Sequence, residues 1–231
     1  MNSQNSNLSF QAKSFVQEGD KNYDFTSILK LCAKAHKLML KNYSDLDGKK
    51  EEDLRDILFK FMEDNRGEEE FKLGKYILNR ECSEDHFLEE TNVGHVDIKI
   101  SIPPPSEFCS GKHKAYILEC KRIDGDKEKN KAYISQGINR FIDGKYTYDM
   151  DIAGMIGFIE TPKNQAKKTI SEIVSGINKL IVEDFYRPNG EILKEFKGIQ
   201  EINNAFKSIH DRKNNLGKIW IKHLMFDNTT N

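Results

Sequence analysis

The first half of the chain carries apolar residues at helical spacing. Phe25, Ile28, Leu29, Cys32 and Met39 predict a helix from Thr26 to Asn42, broken by the Asp45–Gly48 segment. Leu54, Ile57, Leu58 and Phe61 fall at i, i+3, i+4 and i+7 and draw one apolar stripe, so a second helix is expected there. Glu51, Glu52 and Asp53 occupy its first turn, where the helix dipole favours negative charge, and Gly67 stops it. A polar, Glu-rich stretch follows. From Phe87 the period shortens to two. Phe87–Thr91 and His95–Ile102 read as strands joined by a turn at Gly94, the second with Val96, Ile98, Ile100 and Ile102 on one face and His95, Asp97, Lys99 and Ser101 on the other. Pro103-Pro104-Pro105 closes it. Lys114–Lys121 is a third strand, mostly apolar. A helix over Lys129–Ile142, a strand over Ile152–Ile159, an amphipathic helix over Gln165–Asp184, a mixed stretch over Ile192–Phe206 and a last strand over Lys218–Phe226 complete the pattern.

This succession predicts a mixed α/β sheet with helices on both faces. Residues 1–20, rich in Asn, Ser and Gln, read as a flexible arm, and 21–231 as one domain, with no internal repeat or low-complexity linker. Composition narrows the picture. The charges nearly cancel, 36 basic against 37 acidic, so any attraction for phosphate has to come from a local patch. Cys32, Cys82, Cys109 and Cys120 are scattered, which argues against a zinc site or a disulfide framework. No stretch approaches a membrane span and the start is not a signal peptide, so a cytoplasmic setting is expected.

The chemistry gathers on two strands. Period-two geometry puts Glu119 and Lys121 on one face of the third strand, with Cys120 on the other. If the neighbouring strand pairs in hairpin fashion, Asp97 comes beside Glu119. Two adjacent carboxylates repel unless a cation lies between them. A hard, oxygen-preferring ion such as Mg²⁺ resolves that conflict, and a nearby lysine can then hold the water that attacks phosphorus.

Gly94-His95-Val96-Asp97, ahead of Ile117-Leu118-Glu119-Cys120-Lys121, resembles the signature of the PD-(D/E)xK nuclease superfamily, with Val96 in place of the proline that names it. The resemblance covers roughly residues 50–160. It implies a restriction endonuclease-like core with extra N- and C-terminal helices. It also implies a Mg²⁺-dependent endonuclease, with Mn²⁺ as a substitute ion and DNA as the favoured nucleic acid. Asp97, Glu119 and the Cys120 backbone carbonyl would hold the metal, and Lys121 would position the water. Such families donate a further acid from the first core helix. Glu51, on the flank shared with Leu54 and Leu58, is preferred for that role, with Glu52 as the alternative. They also place a Gln and a basic residue on the helix after the third strand, here Gln136 and Arg140, four apart and so expected on one face. Arg140, Arg122 and Lys127 would contact nucleic acid, within a basic belt of Lys112, Lys114, Lys121, Arg122, Lys127, Lys129 and Lys131. A bacterial or phage defence setting, a homodimer and a partner defence subunit belong to the same analogy.

Blander readings stand beside these. Glu-x-Lys on a strand is commonly a cross-strand ion pair, and the belt, interleaved with Asp124, Asp126 and Glu128, is an ordinary solvated surface. Acids in a first helical turn are usually dipole complements. Gln136 and Arg140 alone are a polar helix face. His95, His210 and His223 default to structural roles, and Tyr133, Phe141, Tyr146 and Tyr148 to packing. The rival to an active enzyme is an idle protein of the same fold that binds nucleic acid or a partner protein.

Overall fold

A computed structural model of the chain describes residues 5–85, 92–102, 115–146, 151–163, 165–185, 192–197, 199, 202–213 and 216–229, with 5–22, 82–85 and 92–94 described by backbone alone. Two helices come first, α1 (Asn5–Asn42) and α2 (Glu51–Asn65), then strands β1 (Ile77–Asp85), β2 (Asn92–Ser101) and β3 (Ala115–Ile123). Next come α3 (Lys127–Tyr133), a π-helical turn (Ile134–Ile138) and α4 (Asn139–Ile142). Strand β4 (Ile152–Ile159), helix α5 (Ile170–Glu183) and strands β5 (Lys194–Glu195), β6 (Ala205–Asp211) and β7 (Lys218–Asp227) complete the chain. The strands form one mixed sheet in the order β1-β2-β3-β4-β7-β6-β5. The β3–β4 and β4–β7 pairs are parallel and the others antiparallel.

Helices cover both faces. Phe25, Leu29 and Met39 of α1 and Leu54, Leu58 and Met62 of α2 pack on Ile98, Ile100, Leu118, Cys120, Phe158 and Phe226. Tyr133, Ile138 and Phe141, with Ile173, Ile177 and Ile181 of α5, cover Ile117, Ile123, Met155, Ile221 and Met225. Strand β3 therefore lies between two apolar layers, and any charge on it is taken out of water. Helix α5 begins on a capping box, Thr169 accepting from the Glu172 N–H while Glu172 accepts from the Thr169 N–H. No helix of the described residues is long and apolar enough to cross a membrane.

Several elements depart from the periodicity. Helix α1 starts at Asn5, within the stretch read as an arm. Residues 86–91, which hold the strand expected at Phe87–Thr91, lie outside the described residues. The strand that pairs with β2 is β1, from the stretch read as polar and Glu-rich. It is an edge strand, and of its described side chains, Ile77 to Glu81, only Leu78 is buried, so its alternation is weak. Gly94 lies inside β2, not in a turn. Val96 packs in the second layer while Ile98 and Ile100 pack in the first, so the expected alternation of β2 breaks at Asp97. Beyond α5 the chain continues as β5–β7 and adds no further helix among the described residues.

Candidate active site

The register of β2 and β3 settles how Asp97 meets the other two residues. Their ladder runs from Ser101↔Ala115 to Ile98↔Leu118. Asp97 is the next residue, and its Oδ2 accepts a hydrogen bond of 2.7 Å from the Cys120 backbone N–H. Its Oδ1 accepts from Arg55 Nη1 at 3.2 Å. Arg55 is buried on the stripe of α2 and also binds Asp56 at 3.1 Å and Glu81 at 2.6 Å. Glu81 has φ +50°, a left-handed backbone that L side chains avoid, and it lies in β1 between the residues that face Val96 and Ile98. The break in β2 at Asp97 and the kink in β1 thus meet under one guanidinium. Lysine cannot span three carboxylates as a planar fork does. Arg55→Lys is therefore expected to lower stability by about 1 kcal/mol, read as a lower urea midpoint with an unchanged slope; an unchanged midpoint would show that the fork is not needed.

Glu119 is fully buried. Its Oε1 lies 2.7 Å from Arg140 Nη1 and 3.1 Å from Lys121 Nζ, and its Oε2 accepts from the Tyr146 hydroxyl at 2.7 Å. Tyr146 in turn accepts from Arg140 Nη1 at 2.8 Å. Burial, reinforced by the negative charge of Asp97, pushes the Glu119 carboxyl up to about 7, against the pull of Lys121, Arg140 and Tyr146. Burial works against the ammonium of Lys121, but Glu119, Glu51 and Asp97 together hold its pKa above the usual lysine value. Glu51, the first residue of α2, accepts from Lys121 Nζ at 2.8 Å and from the Arg122 backbone N–H at 3.0 Å. Glu52 beside it is exposed. Of the two first-turn acids, Glu51 is the one that reaches the cluster.

Lys121 Nζ also donates to the Cys120 carbonyl at 2.7 Å. One ammonium is therefore held by oxygens of Glu51, Glu119 and Cys120. Among the described residues no three acidic, histidine or cysteine side chains converge as a ready ligand set. What converges is oxygen around a positive charge, the donor chemistry of a hard divalent ion. The residues fit Mg²⁺ in kind, provided Lys121 moves off its carboxylate partners.

Other expected residues fall differently. Gln136 is exposed, and no hydrogen bond among the described residues joins it to the cluster. The turn Ile134–Ile138 is π-helical, so residues four apart no longer stack as they do in an α-helix. Gly137, in that turn, lies so close to β4 that a Cβ would stand 2.4 Å from Met155 Cε and 3.7 Å from Lys121 Cγ. The wide turn brings the helix down beside the lysine stem and lets Arg140 reach Glu119. The basic belt is compensated. Arg122 pairs with Glu160 at 3.2 Å, Lys129 with Asp124 and Glu160, and Lys127 and Lys131 with Asp184 at 3.6 and 3.9 Å. Lys112 and Lys114 lie outside the described residues. His95 is exposed, and His210 and His223 are buried in a polar chain through Ser208 to Tyr133.

Periodicity missed two members of the cluster. Arg55 carries a signal, a charged residue between Leu54 and Leu58 on the buried side of an amphipathic helix. Tyr146 carries none, since it follows α4 in a short loop. Set against known proteins, the chain matches no family model, no curated protein and no solved structure.

Proposed function

We propose that the protein is a metal-dependent nuclease that hydrolyses phosphodiester bonds, with DNA the first substrate to test. The observation that carries this reading is the meeting of Asp97, Glu119, Lys121 and Glu51 around the β2–β3 ladder, with the Lys121 ammonium bound by oxygens of Glu51, Glu119 and the Cys120 carbonyl. The order α2, β1–β3, α3, β4 supports a restriction endonuclease-like core. Asp97, Glu119 and the Cys120 carbonyl would hold Mg²⁺. A bound ion supplies charge neutralisation at the phosphate and a water of lowered pKa. Lys121, once off Glu119, would orient the attacking water, and Glu51 would keep the ammonium in reach. Arg140, whose guanidinium is partly exposed beside Glu119, contacts a phosphate oxygen. Lys127 and Arg122, already paired with acids, contribute less. The defence setting rests on the resemblance alone.

One observation favours the idle reading: Asp97, Glu119 and Glu51 already have basic partners. Calorimetric titration with Mg²⁺ and Mn²⁺ separates the two. Binding of about one or two ions that is lost in Asp97→Asn supports the enzyme. Absence of metal uptake at millimolar concentrations leaves an ion-paired scaffold.

A further inference from the structure

The described lysines and arginine of the basic belt are paired with acids, but a second set of lysines has no acidic partner among the described residues. Across β5, β6 and β7, Lys194 stands opposite Lys207, and Lys207 stands opposite Lys222. Directly paired residues on neighbouring strands share a face, so three ammonium groups form one row, an arrangement that is destabilising by itself. Among the described residues, no carboxylate is paired with any of the three. Trp220 and Lys222 are two apart on β7 and share that face, with Ile209 opposite Trp220. Trp220 is 39% exposed, one of four large apolar side chains open to water among the described residues. Lys222 Nζ lies 3.7 Å from the Phe196 ring centroid and 5.8 Å from that of Trp220, and Lys207 Nζ lies 5.9 Å from Phe196. Burial and the neighbouring Lys207 press the Lys222 ammonium down to about 8.

Uncompensated positive charge beside an open indole matches a polyanion that carries flat apolar groups along its length. We propose that this face of β5–β7 is a second nucleic-acid contact surface, one that takes single-stranded nucleic acid, with phosphates on Lys207 and Lys222 and a base stacked on Trp220. The choice of nucleic acid over other polyanions rests on the nuclease reading, while the surface itself is separate from the Asp97–Glu119–Lys121 cluster. A single strand is favoured over a duplex because its base faces are available for stacking.

Trp220 is the sole tryptophan, so its fluorescence reports on this surface and not on the cluster. The full chain, in EDTA to prevent any cleavage, is titrated with an oligothymidylate of about twelve nucleotides. Saturable quenching is expected, weakening with salt. The Lys207→Gln/Lys222→Gln pair is expected to bind about tenfold more weakly and to lower the slope of log K against log salt by about 1.4, the loss of two phosphate contacts. Fluorescence anisotropy of labelled oligonucleotide should show a similar loss for Trp220→Ala. Three results overturn the proposal: no quenching of the wild type, equal quenching by polyglutamate, or a salt slope unchanged in the double variant. Should the double variant fail to fold, the wild-type quench and its competition by polyglutamate decide. Because no cleavage is read, a negative here leaves the nuclease reading standing, and a lack of metal binding leaves this surface standing.

Discussion

Asp97→Asn should cut Mg²⁺-dependent cleavage about a thousandfold, and Lys121→Met by a similar factor, while the two variants differ in metal binding. The asparagine keeps an oxygen to accept the Cys120 N–H, so the β2–β3 ladder stays in register. It removes the charge that would hold the ion, and uptake should fall with activity. Lys121→Met acts the other way. The lysine is the cation that now binds Glu51, Glu119 and the Cys120 carbonyl. Without it those oxygens lose the cation they share, and Glu119 keeps only Arg140, so metal affinity should hold or rise even as the rate falls. A loss of one positioned catalytic group is typically worth roughly a hundred- to a thousandfold. Steady-state cleavage and calorimetry on the same preparations check both halves. Parallel loss of metal in both variants would show that Lys121 does not compete for those oxygens.

Stability in EDTA should fall as pH rises, with Glu119 responsible. Its carboxyl goes from an ordinary 4.5 up to about 7 in the folded chain, chiefly through burial. The folded state thus favours the protonated form. An acid shifted this way contributes stability that is fully present below pH 4.5, declines as pH rises, and is gone above about 7. That difference amounts to about 3 kcal/mol, or roughly 10 °C in melting temperature for a chain of this size. Glu119→Gln stays neutral at every pH and keeps one acceptor oxygen, for Arg140, while its amide N–H can donate to the Tyr146 hydroxyl oxygen. It should match the wild type at pH 5 and exceed it at pH 8, by thermal melts in EDTA. A variant less stable at both pH values would mark Glu119 as the anchor of a purely structural ion-pair network. Mg²⁺ at pH 8 should raise the wild-type melt and leave that of the variant nearly unchanged.

Much of the centre was legible because it lies on a strand with strict alternation. Glu119 and Lys121 share a face by period two, and the antiparallel ladder carries Asp97 to the Cys120 N–H beside them. Glu51 was legible for a similar reason, since its place on the flank of an apolar stripe fixes its direction. What escaped depends on events that no short-range pattern encodes. Strand β1 was hidden because an edge strand buries little, and β6 because its inward polar residues, Ser208 and His210, hide the alternation by serving a buried hydrogen-bond chain. The π turn at Ile134–Ile138 shifted the face of Gln136 away from that of Arg140. The ion pairs that Arg122, Lys127 and Lys131 make escaped because their partners, Glu160 and Asp184, are distant in sequence.

Arg55 is the most informative of the omissions. One guanidinium ties α2 to β1 and β2 through Glu81 and Asp97, and so links the helix that presents Glu51 to the strand that presents Asp97. The acidic set is thereby held on rigid elements, which is what the proposed metal site would need.

The most direct test of the central claim is cleavage of supercoiled plasmid by the wild-type chain, with Mg²⁺ and with EDTA, alongside Asp97→Asn. Nicked or linear product is expected with Mg²⁺ alone, and none with EDTA or with the variant. Cleavage that persists in the variant, or in EDTA, would contradict a metal-dependent centre at Asp97, Glu119 and Lys121.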